Sequence, residues 1–97
     1  MLTQQELQIK IDRYTKQPFM YYVEYPESDD NEYFWKDGLG ELQFIPDMTM
    51  DHLKACINKI KKDIKEFYDE DVRDILIPIA EKKQKQLQAE LMRKANS

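Results

Sequence analysis

The chain is 97 residues long and carries 15 basic and 19 acidic side chains, for a formal net charge of −4. With 41% hydrophobic residues and only two glycines, the composition predicts a single small folded domain over residues 1–97 and excludes collagen-like and disordered chains. No apolar run is long enough for a membrane span, and the N-terminal sequence lacks a secretory signal. We therefore expect a cytoplasmic protein with no membrane partner.

Charge is distributed unevenly along the chain. Residues 18–50 contain eight acids and one base, a net charge of −7, whereas residues 81–97 contain two acids and five bases, a net charge of +3. An asymmetry of this kind bears on the choice of partners more than on the fold.

The first predicted element is a helix. Thr3 and Glu6 have the spacing of a capping box, and Leu7, Ile11 and Tyr14 then recur at helical spacing. Pro18 is expected to end this helix because a proline disfavours the helical conformation of the residue before it.

Three strands are predicted to follow the first helix. Residues 19–25 (FMYYVEY) are rich in aromatic and β-branched residues, which favours a strand. Residues 32–45 have the pattern of a hairpin, with Asp37-Gly38 supplying the positive φ of its turn and Gly40 a bulge. The expected product is a three-stranded antiparallel meander packed against helices.

The second helix is predicted to begin after Pro46, with Asp47 or Thr49 as its cap. Its apolar positions recur at spacings of 4, 3, 4 and 3, which is the stripe of an amphipathic helix. The stripe consists of Leu53, Ile57, Ile60, Ile64 and Phe67.

The last helix is predicted to have Asp69 or Asp71 as its cap. A start near Asp69 places Pro78 inside the helix and kinks it, whereas a later start leaves Pro78 close to the first turn. Residues 81–94 all favour helix, so this helix is expected to be long, with its end, about residues 88–97, extended or frayed. The predicted fold class is α+β in the order αβββαα.

Residues suited to catalysis or metal binding are sparse. His52 and Cys56 occur once each, lie four residues apart on the second helix, and are interpreted as structural. Ser28 and Ser97 do not lie in a nucleophile motif, and the acidic loop 27–32 lacks the EF-hand pattern. We therefore predict a protein that is not an enzyme and that uses no cofactor or metal.

Seven aromatic residues fall within residues 19–35, and one interpretation is that so small a domain leaves some of them exposed; the alternative is that helices cover them all. Tyr and Trp are frequent hot spots of protein interfaces, and the −7 charge of residues 18–50 disfavours phosphate. We expect a protein partner, or a homodimer formed through the last helix. The predicted contact residues are Tyr22, Tyr25, Tyr33, Trp35, Leu87 and Leu91.

The basic end of the last helix supports an alternative function, nucleic-acid binding. Its candidate residues are Lys82, Lys83, Lys85, Arg93 and Lys94. Pairing at i,i+4 between Glu81 and Lys85, and between Glu90 and Lys94, favours instead a solvated helix. A further alternative is acidic mimicry of nucleic acid by residues 24–51.

One segment resembles a motif of a known family. It contains, in order, Trp35, Asp37-Gly38, Leu42, Phe44, Asp47-Met48 and His52-Leu53. This arrangement is similar to one in a family of small phage and prophage proteins that has no established activity. The resemblance implies a phage-like accessory or host-modulating protein in a bacterial cytoplasm, and it transfers no site residue. In physical terms the motif predicts a junction between a hairpin and a helix.

Overall fold

A computed structural model describes residues 2–27 and 29–96, so Ser28 and Ser97, the two serines considered above, lie outside the described residues. Within those residues the fold is α+β, as predicted, but it has two strands and not three. The elements are α1 (Gln4–Tyr14), β1 (Phe34–Lys36), β2 (Leu42–Phe44), α2 (Met50–Glu66) and α3 (Glu70–Ala95), with short 3-10 helices at Asp29–Asn31 and Ile45–Asp47.

The segment 19–25 departs most from the prediction, because it forms consecutive turns and not a strand. The Val23 N–H donates to the Met20 carbonyl at 3.0 Å, a contact within a turn. Met20, Tyr22 and Val23 are all buried, a pattern that does not alternate as a strand's would. The aromatic and β-branched side chains therefore reach the core without pairing in a sheet, and the predicted meander is wrong.

The first helix confirms its predicted start. The Thr3 hydroxyl accepts the Glu6 N–H at 3.1 Å, which satisfies one of the unpaired donors at the helix end. The helix ends at Tyr14, before Pro18, where the Thr15 N–H donates to the Ile11 carbonyl. Ile11 is its one buried residue, so α1 contacts the core along a narrow line.

The hairpin forms where it was predicted, but its turn uses a different glycine. Among the described residues, Gly40 alone has a positive φ, at +83°. Gly38 does not, so the prediction of positive φ at Asp37-Gly38 was wrong. The Asp37 carboxylate accepts the N–H groups of Leu39 and Glu41, each at 2.9 Å, and so holds the turn with a side chain.

Of the two predicted caps of α2, Thr49 is the one used, since its hydroxyl accepts the His52 N–H at 3.2 Å. Asp47 lies instead in the preceding 3-10 helix. The predicted stripe is confirmed, because Leu53, Ile57 and Ile60 are buried.

Asp69 caps α3, so the helix begins early and encloses Pro78. Proline has no N–H, so the carbonyl four residues earlier loses its usual helical donor. The buried residues of α3 are Val72, Leu76, Ile77, Ala80 and Leu87. Leu87 lies in the polar half of the helix sequence. No helix in the described part of the chain is long and apolar enough to cross a membrane.

The core joins both halves of the chain in one cluster of apolar side chains. At its centre the rings of Tyr22 and Trp35 stack with centroids 4.8 Å apart. The Tyr22 hydroxyl donates to the Asp63 carboxylate of α2 at 2.8 Å, which satisfies the phenol at the edge of the cluster. Trp35 thus anchors the hairpin on Tyr22, and Tyr22 anchors the preceding turns to α2.

Candidate functional site

The hairpin has one buried face and one partly exposed face. Trp35 pairs with Gln43 in the ladder, and Phe34 pairs with Phe44. Because side chains alternate along a strand, Trp35 on the core side puts Phe34, Phe44 and Leu42 on the other side. The rings of Phe34 and Phe44 lie 5.3 Å apart, while Leu42 and Phe44 are 45% and 43% exposed. We call Phe34, Leu42 and Phe44 the outer face.

The outward-facing main-chain groups of β1 and β2 differ in their hydrogen-bond partners. The Ile45 N–H donates to the Tyr33 carbonyl, and hydrogen-bonded pairs alternate along an antiparallel ladder. The main-chain groups of Phe34 and Leu42 therefore point away from the partner strand. On β1, the Phe34 carbonyl accepts the Lys83 ammonium of α3 at 2.9 Å.

On β2, the N–H and C=O of Leu42 and the N–H of Phe44 have no hydrogen-bond partner within residues 2–27 and 29–96. We call these three groups the β2 edge. An unpaired strand edge of this kind can add a further strand.

A shallow cleft separates the outer face from α3. Phe34 and Leu42 line one side of it, and Ile79 and Gln86 of α3 line the other. Its volume of about 50 Å³ holds a few water molecules and no larger ligand. The β2 edge, and not this cleft, is therefore the feature of the hairpin that is suited to binding.

Lys83 and Lys94, two of the basic residues proposed for nucleic acid, bind main-chain carbonyls of the acidic segment. Lys83 donates to the carbonyls of Asn31, Glu32 and Phe34 at 2.9–3.3 Å, and Lys94 donates to the Pro46 carbonyl at 2.8 Å. Burial lowers the pKa of the Lys83 ammonium, which indicates how far this group has left the solvent.

The other three basic residues differ in their pairing. Lys82 forms an ion pair with Glu27 at 3.4 Å, and Arg93 pairs with Glu90. The predicted Glu90–Lys94 pair is confirmed at 3.7 Å. Lys85 is exposed, and no carboxylate in the described ranges, Glu81 included, lies within ion-pair distance of it. Of the five, Lys85 is thus the one most available to a phosphate.

The six predicted contact residues have very different positions. Tyr22, Trp35 and Leu87 are buried in the core, and the partly buried Tyr25 and Leu91 pack against it. Tyr33 is 61% exposed and is the most accessible of the six to a partner. The surface of α3 near Leu87 and Leu91 offers one large exposed apolar side chain among its described residues, Met92.

Leu42 and Phe44 were not among the predicted contact residues. Their exposure follows from the register: once Trp35 is assigned to the core, the alternation of side chains places Phe34, Leu42 and Phe44 on the opposite face. The hairpin pattern and its single Trp therefore contained the signal. The aromatic count drew attention instead to residues 19–25, whose Tyr22 and Val23 are buried.

The two remaining candidates, Cys56 and His52, differ in their surroundings. Burial raises the pKa of the Cys56 thiol to about 11, so the thiolate needed of a nucleophile is scarce at neutral pH. His52 is exposed on the first turn of α2. In the part of the chain that the structure describes, no three or more His, Cys, Asp or Glu residues are placed to hold a metal ion.

Comparison of the chain with protein-family models, with curated proteins and with solved structures finds no match.

Proposed function

We propose that this chain is a non-catalytic protein-interaction module that binds an extended, basic segment of a partner protein along the β2 edge. The observation that carries the proposal is the unpaired edge of β2 beside two exposed apolar side chains, Leu42 and Phe44. Strand addition supplies main-chain hydrogen bonds, while alternate side chains of the added strand give specificity.

Charge favours a basic partner over a second copy of the chain. Residues 18–50 have a net charge of −7, which Lys82, Lys83 and Lys94 of α3 offset in part. The exposed Glu41 and Asp47 nevertheless flank β2 on both sides. Pairing two copies through this edge would bring two strongly acidic segments together, and like charges across an interface suppress association. Lysine or arginine residues beside the added strand would meet carboxylates instead.

The same charge argues against the nucleic-acid alternative at this edge, because a phosphate backbone would be repelled. At the basic end of α3, the pairing of Lys83 and Lys94 with main-chain carbonyls leaves few cations for phosphate. We therefore favour a protein ligand.

The test is a selection from a random library of displayed ten-residue peptides, followed by polarisation measurements on the enriched sequences. We expect alternating apolar and basic residues to be enriched. Leu42→Pro should weaken their binding at least tenfold, because proline removes an N–H that points outward and is unused in the hairpin. The side-chain contribution is tested with Leu42→Lys, and the matched control is Ile9→Lys on the exposed side of α1.

Thermal unfolding must first show that Leu42→Pro is folded; if it is not, Leu42→Lys provides the test. The proposal fails if no peptide is enriched, or if the enriched peptides bind the folded Leu42 variants as tightly as they bind the Ile9→Lys control.

A further inference from the structure

A second cavity lies where α1 ends and α2 passes into α3. Its volume is about 210 Å³, which matches one large side chain better than a whole small ligand of the usual 300–1,000 Å³ class. None of its lining residues belongs to the hairpin. It is lined by Tyr14, Phe19, Met20, Phe67 and Tyr68 together with Asp63, Glu66 and Asp69.

The walls of this aromatic cleft are graded from buried to exposed. Phe67 is buried and meets the Tyr14 ring edge to face, with centroids 5.1 Å apart. Phe19 and Tyr68 stand at the rim and are 55% and 82% exposed. An exposed aromatic rim around a fixed aromatic floor is an arrangement that a partner could cover, as at the hot spots of protein interfaces.

Three carboxylates make the lining of the cleft acidic. The Asp69 carboxylate accepts the Tyr14 hydroxyl at 2.8 Å and pairs with Lys10 at 3.4 Å, so its position is fixed. Asp63 is held in the same way by Tyr22 and Lys59. Glu66 is exposed and has no ion-pair partner within the described ranges.

No basic side chain lines the cleft among the residues that the structure describes. Lys10 and Lys59, which lie outside the lining, pair with Asp69 and Asp63, so within the described ranges Glu66 is the lining carboxylate left for a positively charged occupant. An apolar occupant that covered Glu66 would bury its carboxylate without a compensating charge, which costs free energy.

We propose that the aromatic cleft binds an arginine side chain of a partner polypeptide. A planar guanidinium can stack on an aromatic ring and donate two parallel hydrogen bonds to one carboxylate, whereas a lysine ammonium is a compact, strongly hydrated charge. Glu66 and Tyr68 are both exposed and both line the cleft, so they offer that carboxylate and that ring. Phe19 and Tyr68 at the rim are more than half exposed, so residues on either side of the arginine can contact them, which favours a residue within a polypeptide over a free cation.

The test is an NMR titration of the ¹⁵N-labelled chain with the blocked tripeptide acetyl-Gly-Arg-Gly-amide, read at the amides of Glu66, Phe67 and Tyr68. The matched ligand contains citrulline, which has the shape of arginine without its charge. We expect the citrulline peptide to bind at least tenfold more weakly, and a lysine peptide to bind severalfold more weakly. Arginine amide, the free-cation probe, should also bind more weakly than the tripeptide.

Variants then assign the contacts. Glu66→Gln and Tyr68→Ala should each weaken binding of the arginine peptide by about threefold to tenfold, since each removes an exposed group that the core does not use. Glu81→Gln on the exposed surface of α3 makes the same chemical change outside the cleft and should leave binding unchanged.

Equal binding of the citrulline peptide, or unchanged binding by both cleft variants, would overturn the proposal. Equal binding of the lysine peptide would overturn the choice of arginine, and equal binding of arginine amide would overturn the choice of a polypeptide. None of these outcomes bears on the strand-addition proposal, because no residue of β2 lines the aromatic cleft. That proposal is tested separately by the Leu42 variants.

Discussion

The two ends of α3 are attached to the rest of the protein by opposite chemistry. At its N-terminal end, the Asp69 carboxylate accepts hydrogen bonds from Tyr14 and Lys10 of α1. Further along the helix, Lys83 and Lys94 donate to main-chain carbonyls of the acidic segment. The contact with α1 depends on the ionised carboxylate of Asp69. The contact with the acidic segment depends on the ammonium groups of Lys83 and Lys94. Their acceptors there are main-chain carbonyls, so this contact does not need the carboxylates of the segment.

This comparison explains the uneven charge of the sequence. Two of the five basic side chains at the +3 end of α3, Lys83 and Lys94, satisfy main-chain acceptors of the −7 segment. The acidic side chains that flank β2 remain at the surface. Separate blocks of charge in a sequence can thus encode an internal contact, and a basic block is not by itself a nucleic-acid surface.

Removing the side chain that anchors the hairpin should cause the largest loss of unfolding free energy. Trp35 is 2% exposed and stacks on Tyr22, so Trp35→Ala leaves a cavity and should cost about 3–5 kcal/mol of unfolding free energy. The measurement is chemical denaturation followed by far-ultraviolet circular dichroism. Trp35→Phe, which retains a ring, should lose less. A loss below about 1 kcal/mol for Trp35→Ala would mean that the ring does not anchor the hairpin.

Removing the lysine contact should have a smaller effect. Lys83→Met keeps the aliphatic length but leaves the carbonyls of Asn31, Glu32 and Phe34 without their donor. Because burial already disfavours the charged form of Lys83, we expect a net loss of only about 1–2 kcal/mol.

Lys85→Met is the matched control for Lys83→Met, since Lys85 lies on the same helix and is exposed. It should change the unfolding free energy by less than about 0.5 kcal/mol. Equal effects of the two variants would show that the main-chain contacts of Lys83 contribute nothing.

The parts of the fold that were predictable are those set by local chemistry. Thr3 and Thr49 cap their helices, and the stripe of α2 is buried, because capping and helical periodicity act within a few residues. The turns at residues 19–25 were not predictable, because strand propensity describes side chains that suit a half-buried pleated surface. The turns bury Tyr22 and Val23 almost completely in the core, whereas a strand would place these two neighbours on opposite faces.

The candidate sites needed tertiary information to different degrees. The exposure of Leu42 and Phe44 follows from the hairpin register once Trp35 is assigned to the core. The aromatic cleft brings Tyr14 and Phe19 from one part of the chain against Tyr68 from another, and no local pattern connects the two parts. The same holds for Lys83, whose acceptors lie some fifty positions earlier in the sequence.

Acid should weaken the α1 end in a way that depends on Asp69, and this is the smallest of the expected effects. The hydrogen bond from Tyr14 holds the pKa of the Asp69 carboxyl below its ordinary value of 3.8. A carboxyl whose pKa is lower in the folded state contributes stability above its unfolded pKa, and this contribution is lost as the pH falls below 3.8 towards the folded pKa.

Asp69→Asn removes this contribution and should therefore cost about 0.5–1 kcal/mol at neutral pH. In Asp69→Asn, lowering the pH below 4 should also cause a smaller loss of hydrogen-exchange protection at the α1 amides than it causes in the wild type. The Ile45 amide, bonded to the Tyr33 carbonyl in the hairpin, serves as the internal control. The pKa of Asp37 is also lowered, by the Gln43 side chain and main-chain N–H groups, so acid affects the hairpin through its turn as well. That response should be the same in the wild type and in Asp69→Asn. If the variant changes the acid response of Ile45 as much as that of α1, the two ends of α3 are not attached independently.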